Sequence, residues 1–503
     1  MDAWLQDRKK NSGTDNRYLD LAKFNPMQQR ALALTGCTKS GVVLVQGPPG
    51  TGKSHLIAHG ILPLLVEEKT KGVLVVCNSN CAVDSIAEKA IQDDCTIRDQ
   101  VVRVGYKGKV SASVVKGGFY EENLDVALNS PKNVVFTTLH NASGQSGDLF
   151  VDRFDILVID EAAQVEDLKI FVLLCRLMKS VKKIVCVGDH KQLQPYVSEG
   201  LRSQGYGMST MERLIETYRE YTEAAEKTPG GTSDARTIHV MLEEQHRMPV
   251  DVRKIVSQLY YAGKLRDAPN INALRGGSVV SLRGSTSAVR NKLPSIIALD
   301  LKFGEAEWNP FQRSSENKTE AEATRAVYDF FFQNYAKDEG AKLTEADICI
   351  LSPFNRHKNR LRTVIAGVDE ADWSKYENLG VEDSAEGIDL EPSQLTKIRN
   401  IDTVDKFQGS EREVVMINTV VEKCNGDRAG DPHFINVAMS RCKGLLVLIG
   451  SLSKIAEGDE GWRAILKYCK ETGQKLLECG KMEDVMAGLT VYLEPAGKMQ
   501  RVK

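Results

Sequence analysis

The chain has 503 residues, 42% of them hydrophobic and 27% charged, and its formal net charge is −2. That length exceeds one ordinary domain and suits two or three. No stretch approaches the roughly 18 uninterrupted apolar residues of a membrane span, and the N-terminal MDAWLQDRKKNSG lacks the apolar core of a secretory signal. The balanced charge is not that of a domain that coats nucleic acid, yet a channel needs only local donors, so composition leaves the partner open.

Eleven cysteines are scattered along the chain. Cys77 and Cys81 form the one close pair, without a second pair or a histidine at zinc-like spacing. They read as reduced thiols of a cytoplasmic or nuclear protein.

From about Gly41 onward, short β-branched runs alternate with longer helical stretches. Val42–Gln46, Val73–Cys77, Val101–Val104, Val134–Thr137, Ile156–Asp160 and Ile184–Gly188 are the expected strands. Continuously apolar strands separated by helices imply a parallel, doubly wound sheet covered on both faces. EKTPGGTSDAR at 226–236 then reads as a linker. A second series follows at Thr237–Leu242, Ile296–Leu301, Ile348–Ser352, Val414–Val420 and Leu445–Gly450. The expectation is two α/β lobes joined near 215–236. Between Gly367 and Glu391 stand nine acidic residues and one basic one, Lys375. This segment reads as a solvated insertion, or more sharply as a strand mimic competing for a nucleic-acid channel.

Residues Gly47–Ser54 spell GPPGTGKS between an expected strand and an expected helix, His55–Leu65. This matches G-x-x-x-x-G-K-[ST] in its required context. Gly47, Pro48, Pro49, Gly50, Thr51 and Gly52 form a loop whose backbone N–H groups face an anion at a helix N-terminus. Lys53 brings positive charge to the β- and γ-phosphates of ATP, and the Ser54 hydroxyl ligates Mg²⁺. The apolar strand in FDILVIDEAAQ (154–164) delivers Asp160 at its tip to hold Mg²⁺ through water, with Glu161 beside it as general base. An adjacent glutamate points to hydrolysis.

From Phe24 to Gly450, in motif order, the chain resembles the superfamily 1 helicases of the up-frameshift/senataxin-like branch. Asn25–Ala31 resembles the Q motif, which implies that Gln28 reads adenine. Val73–Lys89 and Val134–Gly144 resemble motifs Ia and Ic, and GDHKQLQP at 188–195 resembles motif III, with Gln192 on the γ-phosphate. QHRMP at 245–249, VDKFQGSERE at 404–413 and NVAMSR at 436–441 resemble motifs IV, V and VI.

The resemblance implies two tandem RecA-like (P-loop NTPase) lobes, each a doubly wound parallel α/β sheet, at 23–220 and 221–480, with tails at 1–22 and 481–503. It implies that Arg247 and Arg441 of lobe two form a finger on the γ-phosphate. It also implies that Glu411 holds the ribose and that His246 packs on the nucleoside. Contacts to single-stranded RNA or DNA would come from Ser79, Asn80, Thr138, Pro353, Phe354 and Thr403, largely through phosphates and without reading sequence. Phe354 is equally a stacking platform or a core residue.

The implied activity is an ATP-driven helicase or translocase moving 5′ to 3′ as a monomer, recruited by protein partners. Rival readings are a ribonucleoprotein-remodelling ATPase and an ATP-gated binding module. Asn78, His246, Phe354 and His357 depart from the family's usual proline, tyrosine, tyrosine and glutamine. With the phosphate loop at residue 47, the expectation is either that the family's β-barrel and stalk are missing ahead of it or that the chain is the excised core of a longer protein; only Gly105–Lys132 is available between motifs Ia and Ic, so translocation is better supported than processive unwinding.

Overall fold

In the computed structural model the described residues are 1–10, 19–68, 70–144, 153–227, 237–269, 271, 281–282, 294–336, 343–369, 390–407, 409–423 and 428–493. The chain divides into two compact units, Met1–Gln245 and His246–Lys503.

Among the described residues the main sheet of the first unit has eight strands: β1 (Gly41–Gln46), β2 (Val73–Cys77), β3 (Val101–Val104), β4 (Tyr120–Glu121), β5 (Val134–Thr138), β6 (Ile156–Ile159), β7 (Lys183–Gly188) and β8 (His239–Met241). They form one parallel sheet in the order β4-β3-β5-β2-β6-β7-β1-β8. Successive strand residues point to opposite faces, and both faces are buried. Val43, Val45, Val73, Val75, Val134, Phe136 and Val158 enter one core, while Leu44, Leu74, Val76, Val135, Leu157 and Ile159 enter the other. The continuous apolar runs are therefore the expected signature of a two-sided parallel sheet.

The second unit repeats the plan with β9 (Ile296–Leu301), β10 (Ile348–Ser352), β11 (Ile401–Thr403), β12 (Arg412–Asn418), β13 (Cys442–Gly450) and β14 (Lys475–Cys479). Among the described residues these form a parallel sheet in the order β11-β10-β12-β13-β9-β14. Both sheets are doubly wound, and the tandem RecA-like plan holds.

Several boundaries differ from expectation. The strand expected at Thr237–Leu242, placed in the second series, instead pairs with β1 at Leu44↔His239 and closes the edge of the first sheet. The division between units accordingly falls after Gln245, beyond the expected junction. The expected N-terminal tail contains a helix, Asp2–Lys10. Trp4 of that helix lies so close over Gly36 that a Cβ there would sit 2.6 Å from its ring. Leu19 and Leu21 join the first core.

At the other end, β14 and the helix Met482–Leu493 belong to the second unit, burying Val485 and Leu489 in its core. In the expected linker, residues 228–236 lie outside the described residues, as do 370–389 of the acidic segment. The ten cysteines among the described residues are all free. Among those residues no helix is long and apolar enough to cross a membrane.

Candidate functional site

The phosphate loop leaves the C-terminal end of β1, and Gly47 N–H donates to Gly188 O at the end of neighbouring β7 (2.8 Å). Gly50 and Gly52 take φ of 74° and 79°, a region in which a side chain is strained. Thr51 is buried, and its hydroxyl donates to Pro48 O (2.7 Å), closing the loop on itself. Lys53 folds back to donate to Gly47 O (2.8 Å). The helix that follows is α-helical at Lys53–Leu56, widens to a π-turn at Ile57–Ile61 and resumes at Leu62–Glu67. The wider turn ends one residue before Leu62-Pro63, and Pro63 has no N–H to return to the turn before it. Gln28 caps its own helix reciprocally with Asn25 and donates to Thr51 O (3.2 Å). The residue expected to read adenine is thus wired to the phosphate loop.

Asp160 stands at the tip of β6 and is buried, and its Oδ1 has no hydrogen-bond partner among the described residues. Burial first, then the negative charge of Glu161, push its carboxyl up to about 7 against the opposing influence of Lys53. A buried carboxylate with an orphaned oxygen, beside a phosphate loop, fits Mg²⁺, which takes one or two carboxylates plus substrate phosphates and keeps waters. No cage of three or more His, Cys, Asp or Glu exists among the described residues, and none is needed.

Glu161 adopts φ 49°, ψ 38°, an uncommon conformation for a non-glycine residue, of a kind often found at functional sites. Its Oε2 accepts from Gln164 Nε2 (3.0 Å). Gly188 permits this turn, because a Cβ there would lie 2.9 Å from Ala162 N. Gln192 is buried and donates to Asp189 Oδ2 (2.8 Å). Gln46 Nε2 and Lys191 N–H reach the other oxygen of Asp189 at 3.3 and 3.2 Å. Sequence reasoning passed over Asp189 and Gln46; a buried acid directly after a strand was the available signal.

The three residues expected to face a strand in this unit lie at the same sheet edge, since β2 and β5 are neighbours with Cys77 opposite Thr138. Each also has local work. Ser79 caps the helix Asn80–Ala90 through Ala82 N–H (3.2 Å), and Thr138 Oγ1 accepts from Asn141 N–H (3.2 Å). Asn80 Oδ1 accepts from Arg103 Nη2 (2.8 Å), and Arg103, itself fully buried, is held by Asp84 at 2.7 Å. That buried pair was not anticipated, because its partners are 19 residues apart and meet only through the sheet.

In the second unit, Arg247, Glu411, Ser440 and Arg441 converge. Arg247 Nε meets Glu411 Oε2 at 2.5 Å, and its Nη1 donates to Ser440 O (3.3 Å). Lys443 takes the other oxygen of Glu411 at 2.7 Å. Burial works to raise the Glu411 carboxyl, but Arg247 and Lys443 together hold it at about 2. The residue expected to hold ribose is therefore engaged with two cations here. Arg441 is 2% exposed, with Nε donating to Val437 O (3.0 Å) and Nη1 to Ser410 O (3.4 Å). His246 is exposed.

Ser352 opposite Thr403 places Pro353, Phe354 and Thr403 together at the C-terminal edge of the second sheet. Phe354 is only 8% exposed. Of its two readings the structure gives the core one, because the helix Asn355–Ala366 begins directly after it and turns the ring inward.

His357 is fully buried. Its Nδ1 accepts from Asn317 N–H (3.2 Å), which puts the ring proton on Nε2, facing Asn418 Oδ1 (3.1 Å). Burial lowers its pKa from 6.5 to about 4. The folded state therefore binds fewer protons than the unfolded state between these values, so stability is present above 6.5 and is lost as pH falls through 4. At about 1.4 kcal/mol per pKa unit this amounts to roughly 3 kcal/mol. His357→Gln, which keeps an acceptor and a donor without titrating, should flatten the loss in urea melts between pH 7 and pH 4. An unchanged slope would rule this source out.

Models described as AAA domain match residues 206–453 and 28–199. Putative helicase mov-10-B.1 of Danio rerio is 25% identical over 88% of this chain and 43% of its own length. DNA replication ATP-dependent helicase/nuclease JHS1 of Arabidopsis thaliana is 25% identical over 84% of this chain and 28% of its own length. ATP-dependent helicase upf1 of Schizosaccharomyces pombe is 23% identical over 96% of this chain and 50% of its own length. The chain thus spans half or less of each of these relatives.

Proposed function

Because the chain belongs to the up-frameshift-like branch of the superfamily 1 helicases, we propose that it is an ATP-driven motor on single-stranded nucleic acid, moving 5′ to 3′. The observation that carries this reading is the pairing of a closed phosphate loop with the orphaned carboxylate oxygen of Asp160 and the adjacent Glu161.

In this reading Lys53 and the loop N–H groups hold the phosphates of ATP, while Ser54 and Asp160 hold Mg²⁺. The ion, when bound, neutralises charge on the β- and γ-phosphates. Glu161 takes the proton of the attacking water. Gln192 senses the γ-phosphate, and Gln28 and His246 receive the nucleoside. Arg247 and Arg441 neutralise the transferring phosphoryl, and Glu411 exchanges its cations for ribose. Ser79, Asn80, Thr138, Pro353 and Thr403 hold the strand. RNA and DNA both stand as tracks, since similar proteins include a DNA replication ATP-dependent helicase/nuclease of Arabidopsis thaliana and a probable RNA helicase of Drosophila melanogaster. A cytoplasmic or nuclear setting, monomeric action and recruitment by protein partners complete the proposal.

The test is the ATPase rate with single-stranded RNA, single-stranded DNA, duplex or no addition. A rise of at least about tenfold with one of the single strands is expected, and a rate indifferent to all of them overturns the reading. A remodelling ATPase that displaces proteins without processive unwinding is the second reading. It is favoured by the 105–132 stretch, whose described residues add one short strand, β4, to the sheet edge. Fork substrates with and without a bound roadblock protein separate the two.

A further inference from the structure

Phe354 is buried, yet the same region of the second unit offers two aromatics that are not. After β9 the chain forms an antiparallel hairpin, Glu307–Asn309 with Ser314–Glu316, in which Trp308 pairs with Ser315. Trp308 is 56% exposed, and Phe311 in the connecting loop is 97% exposed. Single exposed apolar residues are ordinary on protein surfaces. Here two aromatics share one hairpin that is fixed from three sides.

The first constraint is Gly304 at its entry, at φ 85°, where a Cβ would lie 2.8 Å from Thr319 Cβ. The second is the loop, where Asn309 Oδ1 accepts from Phe311 N–H and Gln312 N–H at 2.9 and 3.1 Å. The third is the helix that starts after Phe354. Arg356 N–H donates to Ser314 Oγ (3.0 Å), and its guanidinium pairs with Glu316 (2.7 Å). The hairpin thus leaves the C-terminal end of β9 and is anchored beside the end of β10, at the edge that carries Pro353 and Thr403.

We propose that this hairpin is a base-stacking element for single-stranded nucleic acid, with Trp308 and Phe311 as its platforms. The inference rests on the strand-motor reading and adds a contact to it. Aromatic faces accept any base, which suits a motor that must step along every sequence. The hairpin also carries charge of both signs: Glu305 is exposed, Glu307 is paired with Lys318, Glu316 is paired with Arg356 and Arg360, and Arg313 at the loop is exposed and forms no ion pair among the described residues. A guanidinium beside stacked bases serves either a phosphate or a base face.

The test uses fluorescein-labelled oligo-uridylate and oligo-thymidylate, together with an abasic strand of equal length, binding to the full chain by anisotropy. The double variant Trp308→Ala/Phe311→Ala should lose on the order of ten- to a hundredfold in affinity for the base-bearing strands. It should bind the abasic strand as wild type does, and its thermal melting and strand-free ATPase rate should be unchanged. Trp308→Phe/Phe311→Tyr should restore binding. Equal affinity of the alanine variant and wild type for base-bearing strands overturns the inference while leaving the motor intact, and assigns the aromatics to a protein partner. An equal loss on abasic and base-bearing strands also overturns it. Wild type that binds no strand removes this inference together with the function it rests on.

Discussion

A Lys53→Ala variant is expected to lose ATP turnover by roughly a hundred- to a thousandfold or more, the range for removing one preorganised donor at a developing charge. Lys53 sits at the start of the helix that follows the loop, and its ammonium rests on Gly47 O at 2.8 Å. That contact holds it over the loop, ready to transfer to the β- and γ-phosphates. The side chain lies so close that a Cβ on Gly47 would meet Lys53 Cγ at 2.3 Å. Gly47→Ala should therefore displace the same ammonium and impair turnover from the other side of the contact. Lys53 is half-buried and pairs with one carbonyl, so its removal should leave the melting temperature nearly unchanged. Turnover within tenfold of wild type in a folded Lys53→Ala protein would remove the assigned site.

Arg441→Ala carries the other large expectation: ATP binding retained within a few-fold, and turnover reduced by roughly a thousandfold or more, as for an arginine finger. Its guanidinium is held by Val437 O and Ser410 O, which pre-orients the group at the cost of making it structural as well. Removing it leaves buried carbonyls short of a donor, a penalty of about 1–3 kcal/mol. Arg441→Lys is therefore the necessary companion, because it keeps a cation while losing the planar fork. If both variants bind a fluorescent ATP analogue and both fail to turn over, the arginine acts on the reaction. A folded Arg441→Ala protein with normal turnover excludes that role.

The two variants probe different lobes, and their contrast is informative. Loss of Lys53 should weaken ATP binding as well as catalysis, whereas loss of Arg441 should act on catalysis alone. The same pattern would not arise from general destabilisation, which lowers the active fraction without separating binding from turnover.

Much of this site was legible in one dimension because its chemistry is local. A phosphate loop needs glycines at left-handed positions and a lysine at a helix start, all within eight residues, and GPPGTGKS shows them directly. Asp160 and Glu161 were visible for the same reason, at the end of an apolar strand. Strand positions were also readable, since a parallel sheet covered on both faces demands continuous apolar runs. The short strands at Tyr120–Glu121 and Ile401–Thr403 were less visible, being too brief to establish a period.

What the linear order did not contain was pairing across distance. The strand at His239–Met241 reads like the start of the second lobe, but β1 has an open edge and takes it into the first sheet. Arg103 and Asp84 form a buried pair only because β3 and the helix Asn80–Ala90 pack together. The inward turn of Phe354, the neutral state of His357 and the outward display of Trp308 and Phe311 depend on which helix lies over which strand. Side-chain type and spacing thus determined the nucleotide chemistry and the two-sheet plan. Burial decided which aromatic, acid or histidine is spent on the fold and which is left to meet a ligand, because desolvation is a property of the packed neighbours and is absent from the residue itself.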